Sequence, residues 1–200
     1  VIIDALDMFG NPSSLYSLGG ESKHAIETAR ETIANTIGAK QNEIYFTSCG
    51  SESDNWAIKG AAEIMLQKGK NHIISTDFEH HAVLHPLTSL EKKGFEVTYL
   101  PVYENGIVKP EDLEKAITEK TGLVTIMFAN NEIGTIQPVK ELATIAHRYG
   151  ILFHTDAVQA VGHIPVDVEE ICDELGISIL PISGLAKAKR IDAFISMDFK

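Results

Sequence analysis

Leu123-Val124-Thr125-Ile126-Met127-Phe128-Ala129-Asn130-Asn131-Glu132-Ile133-Gly134 is the stretch on which the fold turns. Its first six residues read as a strand that is apolar without alternation, the pattern of a strand in the middle of a parallel sheet covered on both faces. Two amides and a glycine then end it abruptly. On either side, segments of helical and strand period alternate, which points to an α/β chain. The fold class read from this is a doubly wound, mostly parallel sheet flanked by helices. In such sheets ligands bind beyond the carboxyl ends of the strands, so the polar residues there are the ones to interrogate.

Working outward, Ala25, Ile26, Ala29, Ile33, Ala34 and Ile37 recur at helical spacing up to Gly38. Glu43 to Ser48 reads as a strand. Ser51 to Lys68 reads as a helix opened by a capping box, Ser-Glu-Ser-Asp, and closed by Gly69. His72 to Thr76 and Phe95 to Leu100 read as strands, with a helix from Ala82 to Lys93 between them. Asn105-Gly106 is a turn, and Pro110 begins a helix at the position where proline is tolerated. Pro138 to Tyr149 is a further helix and Ile151 to Thr155 a further strand. No repeat, low-complexity segment or linker divides the chain, and residues 1–200 read as one domain.

The 200 residues are 44% hydrophobic and 22% charged, an ordinary soluble globular composition. The most apolar run, Leu123 to Ala129, is far short of the ~20 residues a membrane span needs. A net charge of −11 speaks against a general nucleic-acid binder, which needs a basic face. Two cysteines, Cys49 and Cys172, make no disulfide framework, so a cytoplasmic setting is expected. No secretory leader is apparent, and Val1 opens in what reads as mid-element sequence, so residues are expected to precede it.

Four constellations carry chemistry. Thr47-Ser48-Cys49-Gly50-Ser51-Glu52-Ser53-Asp54-Asn55 takes a strand through a small-residue turn into a helix start. That is an anion site for a phosphate, with Ser51 or Ser53 as added donor, or plain capping. Glu79-His80-His81, with His85, follows the 72–76 strand. It could offer an imidazole to lie flat on a planar ligand, a helix cap, or a metal pair, although no third ligand stands at metal spacing. Asn130-Asn131 offers amides to a ligand's polar edge, or an Asx turn. In His154-Thr155-Asp156-Ala157-Val158-Gln159 the Asp156 carboxylate ends a strand half buried, so it needs donors or a cation. A protonated heterocyclic nitrogen of a cofactor would satisfy it.

Taken in order, these residues resemble the cysteine desulfurase family, pyridoxal-phosphate enzymes of fold type I in the class V aminotransferase group. The likeness runs from about Phe9 to Val168. It includes Phe9-Gly10-Asn11-Pro12-Ser13-Ser14, Phe46-Thr47-Ser48 with Glu52-Ser53-Asp54-Asn55, and Glu79-His80 with Ala82-Val83-Leu84. Asn130-Asn131-Glu132-Ile133-Gly134, then Asp156-Ala157 with Gln159 and Val161-Gly162, set this subgroup apart from generic aminotransferases. The resemblance implies pyridoxal 5'-phosphate as cofactor. It places Gly50, Ser51 and Ser183 at the phosphate and His80, the catalytic-site candidate, on the pyridine ring. Asn131 and Gln159 fall near the phenolic oxygen, and Asp156 opposite the ring nitrogen.

It further implies conversion of L-cysteine to L-alanine, with the sulfur passed as an enzyme persulfide to iron–sulfur cluster or thio-cofactor assembly. A sulfur-acceptor or scaffold protein and a homodimer come with it; nucleic acid, membrane and metal do not. Where the family pattern continues Ser-x-His-Lys, this chain has Ser183-Gly184-Leu185-Ala186, so the lysine that holds the cofactor covalently is absent from its position. Ile171 to Glu174 reads as extra length. Neither Cys49 nor Cys172 stands at the place of the sulfur-accepting cysteine. The domain is therefore expected to be an incomplete cofactor-binding large domain, without the family's N-terminal stretch or C-terminal small domain, and inactive as it stands. The alternatives are another class V enzyme, such as a selenocysteine lyase or an aminotransferase, or a non-catalytic scaffold that kept the fold.

Overall fold

The computed structural model describes residues 7–172 and the short segment 193–196. The first helix, α1 (Ser17–Ile37), is stopped by Gly38 in the left-handed region at φ +69°, and Gly38 donates its N–H back to Ala34. There follow α2 (Gly50–Gln67), β1 (His72–Thr76), α3 (His81–Glu91), β2 (Glu96–Leu100), α4 (Pro110–Ala116) and β3 (Thr121–Thr125). The chain continues with α5 (Val139–Arg148), β4 (Leu152–Asp156), α6 (Val168–Cys172) and β5 (Ala193–Ser196). The sheet has the order β2-β1-β3-β4-β5, and every neighbouring pair is parallel.

That order dictates the layers. The β1-to-β2 crossover steps one way along the sheet, and the later crossovers step the other way. Crossovers of one hand that step in opposite directions must place their helices on opposite faces. The core shows this. On one face α2 (Ile58, Ala61, Met65) and α3 (Val83, Leu87, Leu90) pack on Ile73, Leu123 and Leu152. On the other, α4 (Leu113) and α5 (Val139, Leu142, Ala146) pack on Ile74, Val124 and Phe153. Adjacent strand residues thus point into different cores, which is why the strands read as unbroken apolar runs. Phe153 is 1% exposed. Phe153→Ala is expected to destabilise the fold by about 3–5 kcal/mol, read by denaturant unfolding, because it leaves a cavity between sheet and α5. The doubly wound, parallel architecture is as the sequence predicts.

Two local expectations fail. Glu43 to Ser48 is not a strand: Gln41–Glu43 is a single 3-10 turn, and Ile44 onward is extended but pairs with no strand among the described residues. Arg30 takes the backbone instead, donating to the Ile44 carbonyl while its guanidinium lies 4.8 Å over the Phe46 ring. Side-chain period alone does not supply a hydrogen-bonding neighbour. The capping box of α2 is also absent. The helix starts one residue earlier than predicted, with Cys49 at the N-cap, whose side chain makes no capping bond among the described residues. Glu52 reaches past the cap to accept from the Ser48 N–H at 2.6 Å.

β3 formally ends at Thr125, three residues short of the predicted Phe128, yet its backbone stays tied to β4. The Ile126 and Phe128 N–H groups donate to the His154 and Asp156 carbonyls at 3.1 and 2.9 Å. Ser183 and the Leu185-Ala186 departure lie outside the described residues, as does Ile171 to Glu174 beyond Cys172.

Candidate active site at the carboxyl edge of the sheet

Between β1 and β3 the direction of winding reverses, and the crevice outside their carboxyl ends is where such a sheet binds ligands. The start of α2 faces this edge. An α-helix leaves its first N–H groups without intrahelical partners and carries a partial positive charge there. The N-cap side chain makes no capping bond among the described residues, and this end is disposed toward an anion. Ser53, one of two candidate hydroxyl donors, is used elsewhere: its Oγ sits 2.6 Å from Thr47 Oγ1. Ser51 keeps its place at the rim.

At the end of β4, Leu152, His154 and Asp156 share the face turned to α2, since strand side chains alternate. Asp156 is 6% exposed, and its Oδ1 accepts from the Val158 N–H at 2.9 Å. Burial pushes its carboxyl above the ordinary range, and the nearby Asp54 carboxylate pushes it further; the Val158 N–H, His154 and His80 pull the other way. Asp54 lies one turn into α2 and is 1% exposed. Its Oδ1 stands 3.4 Å from His154 Nε2, and His154 Nδ1 meets Thr125 Oγ1 at 2.7 Å. Two buried carboxylates, with a buried imidazole beside Asp54, therefore stand close together, an arrangement that favours a cation above them.

After β1, His80 caps α3. Its Nδ1 accepts from the Ala82 N–H at 3.1 Å, so the proton of the neutral ring is on Nε2 and the ring orientation is set by the helix. His81 and His85 turn to each other, rings 5.2 Å apart, and no group of three or more His, Cys, Asp or Glu among the described residues is placed to hold a metal ion. After β3, the two amides divide the work. Asn130 is buried and makes the Asx turn: Oδ1 accepts from Glu132 and Ile133 N–H at 2.8 and 3.0 Å, and Nδ2 donates to the Phe78 carbonyl. Gly134, at φ +72°, completes that turn. Asn131 is left facing outward.

These groups meet around one cavity of about 270 Å³, lined by Gly50, Ser51, Asp54, His80, Ala82, Met127, Asn131, Asp156, Val158 and Gln159. Six of the sequence-predicted site residues are there together: Gly50, Ser51, His80, Asn131, Asp156 and Gln159. The carboxylate floor of Asp54 was assigned no role from sequence. Its signal was available: an acid on the face that holds Gly50, Ala57, Ile58 and Ala61, where α2 is otherwise apolar.

The sequence pattern of the aminotransferase class-V family matches residues 3–184. The chain belongs to that family. Its match ends at Gly184, just before Leu185-Ala186. Among curated relatives, the cysteine desulfurase IscS of Methanosarcina thermophila is 59% identical over 176 residues, 88% of this chain and 42% of that protein. A probable mitochondrial cysteine desulfurase of Dictyostelium discoideum is 48% identical over 92% of this chain and 41% of its own length. The chain thus spans less than half the length of these relatives.

Solved class-V structures superpose closely. A NifS-like protein matches with TM-score 0.80 at 45% identity, covering 85% of this chain and 47% of that one. SspA in complex with cysteine matches with TM-score 0.79 at 42% identity, covering 83% and 48%. Cysteine desulfurases of this family use pyridoxal 5'-phosphate. The donor set fits that group on its own terms: a positive helix end for a dianionic phosphate at one side, and a buried carboxylate for a ring cation at the other.

Proposed function

We propose that this chain carries the cofactor-binding floor of a cysteine desulfurase, on which L-cysteine gives up its sulfur as an enzyme persulfide and leaves as L-alanine. The supporting observation is the convergence of Gly50, Ser51, His80, Asn131, Asp156 and Gln159, from the start of α2 and the ends of three strands, on one cavity. The chemistry supplied by bound pyridoxal phosphate is an electron sink, a protonated ring that takes up the electron pair released at the substrate's α-carbon.

This chain's residues hold and orient that group. The start of α2 with Gly50 and Ser51 holds the phosphate. The Asp156 carboxylate keeps the proton on the ring nitrogen. Imidazole 80, its Nδ1 fixed by Ala82, stacks on the ring face. The amides of Asn131 and Gln159 hydrogen-bond the phenolic oxygen.

The same proposal includes a homodimer, a sulfur-acceptor or scaffold protein serving iron–sulfur or thio-cofactor assembly, and a cytoplasmic setting. Exposed Phe9, Leu15 and Tyr16 support a protein neighbour on the α1 side, where apolar surface otherwise meets water. No helix among the described residues is long and apolar enough to cross a membrane. Cys49 is exposed at the α2 N-cap but does not line the cavity, so it is not proposed as the sulfur acceptor.

Equilibrium dialysis with pyridoxal 5'-phosphate tests the reading. Saturable binding is expected, weakened about tenfold by His80→Ala, the worth of one stacked ring. Equal binding by wild type and His80→Ala removes the stacking assignment. No saturable binding by the wild type removes the proposal.

A further inference from the structure

The β1 and β3 backbones part after Ile74 and Val124, the last pair in their register, while β1 stays with β2 as far as Thr76 and Leu100. A gap between parallel strands exposes backbone groups that must find partners. Here a side chain enters it. Glu79, 5% exposed, accepts at Oε1 from the Met127 N–H at 2.8 Å and from the Thr76 hydroxyl at 2.9 Å. Beside it the Asn130 amide donates to the Phe78 carbonyl at 3.2 Å. Both ties run from the segment that bears His80 to the segment that bears Met127 and Asn131, and both segments line the cavity.

We propose that Glu79 is a positioning residue, a side-chain strap across the open switch point that fixes the His80 wall against the Met127–Asn131 wall and so sets the gap into which a planar ring fits. This rests on the cofactor reading above. Glu79 itself does not line the cavity, so it acts through the two segments it joins.

Its electrostatics add a second property. Glu79 Oε2 is buried with no hydrogen-bond partner among the described residues. Burial pushes the Glu79 carboxyl up to about 8, against the pull of the Met127 N–H and the Thr76 hydroxyl, and the Asp156 and Asp54 carboxylates push it the same way. At neutral pH it is therefore the uncharged acid. Among the described residues, the charged or titratable groups that act on it are Asp156 from β4 and Asp54 from α2. Next along its own segment is His80, which acts on Asp156, as does His154. A cation held at Asp156 cancels part of this repulsion, so its binding draws the Glu79 proton off and is tighter as pH rises from 7 to 8.

Two variants separate strap from charge. Glu79→Gln keeps the accepting oxygen and stays neutral; Glu79→Ala removes the strap. Pyridoxal-phosphate affinity by dialysis is expected to be near wild type in Glu79→Gln at pH 6.5, without the rise toward pH 8. It is expected to fall about 10–100-fold in Glu79→Ala, the loss of two buried hydrogen bonds. Amide hydrogen exchange without cofactor gives an independent readout: Met127 is protected in wild type and Glu79→Gln, and exchanges at least tenfold faster in Glu79→Ala.

Wild-type affinity and wild-type Met127 protection in Glu79→Ala overturn the strap. A wild-type pH profile in Glu79→Gln overturns the charge coupling. If the wild type binds no pyridoxal phosphate, the cofactor reading fails, and the strap between the two walls stands or falls on Met127 exchange.

Discussion

Asp156→Asn is expected to bind pyridoxal 5'-phosphate about 150–5,000-fold more weakly than wild type while leaving the fold intact. The amide keeps the size of the side chain and its acceptor for the Val158 N–H, so the end of β4 is undisturbed. What is lost is the charge proposed to face a protonated ring nitrogen, on a side chain that is 6% exposed. Removing one member of a buried ion pair costs about 3–5 kcal/mol, which is the origin of the expected range.

The apo protein gives the opposite sign. Without a cation above it, Asp156 is held beside Asp54, and the two carboxylates repel. Asp156→Asn relieves that repulsion, so the apo variant is expected to be as stable as wild type or more so in urea unfolding. Weaker binding with unchanged or raised stability is the mark of a residue retained for function at a cost to the fold. Unchanged affinity would show that no ring cation sits at position 156.

Glu79→Gln is expected to change how stability depends on pH. The ordinary carboxyl value is 4.5, and in the folded chain Glu79 is pushed up to about 8. Below 4.5 both folded and unfolded chains hold the proton, and the residue's contribution is fully present. Between these values the unfolded chain loses the proton and the folded chain keeps it, so stability falls as pH rises and the loss is complete above about 8. The size of the effect is at most about 5 kcal/mol over that interval. Glu79→Gln has no proton to lose. Its denaturation midpoint is expected to match wild type near pH 4 and to exceed it near pH 8. Parallel wild-type and variant profiles across this window would show that Glu79 ionises normally when folded.

The legible and illegible parts of this site divide along one line. Gly50, His80, Asn131 and Asp156 were each readable because each sits where an apolar run stops and a polar residue begins, a local event in the chain. The pairing of Asp54 with His154 was not readable. It joins α2 to β4 across a hundred residues, and nothing in either segment names the other. Asn130 and Asn131 could not be told apart for the same reason: which amide turns inward depends on the Phe78 carbonyl, which another strand delivers. The false strand at Glu43 to Ser48 shows the converse. Its side-chain pattern was strand-like, but a strand exists only when a neighbour accepts its hydrogen bonds.

The amino-acid order by itself determined the doubly wound parallel sheet, the edge that carries the candidate site, and the residue types presented there, because apolar period and chain breaks are properties of short segments. Tertiary structure alone decided which carboxylates stand together on the cavity floor. It also decided that Glu79 spans the gap between β1 and β3. Burial and charge proximity depend on distances between segments far apart in the chain, and those distances exist only once the sheet has closed its two cores.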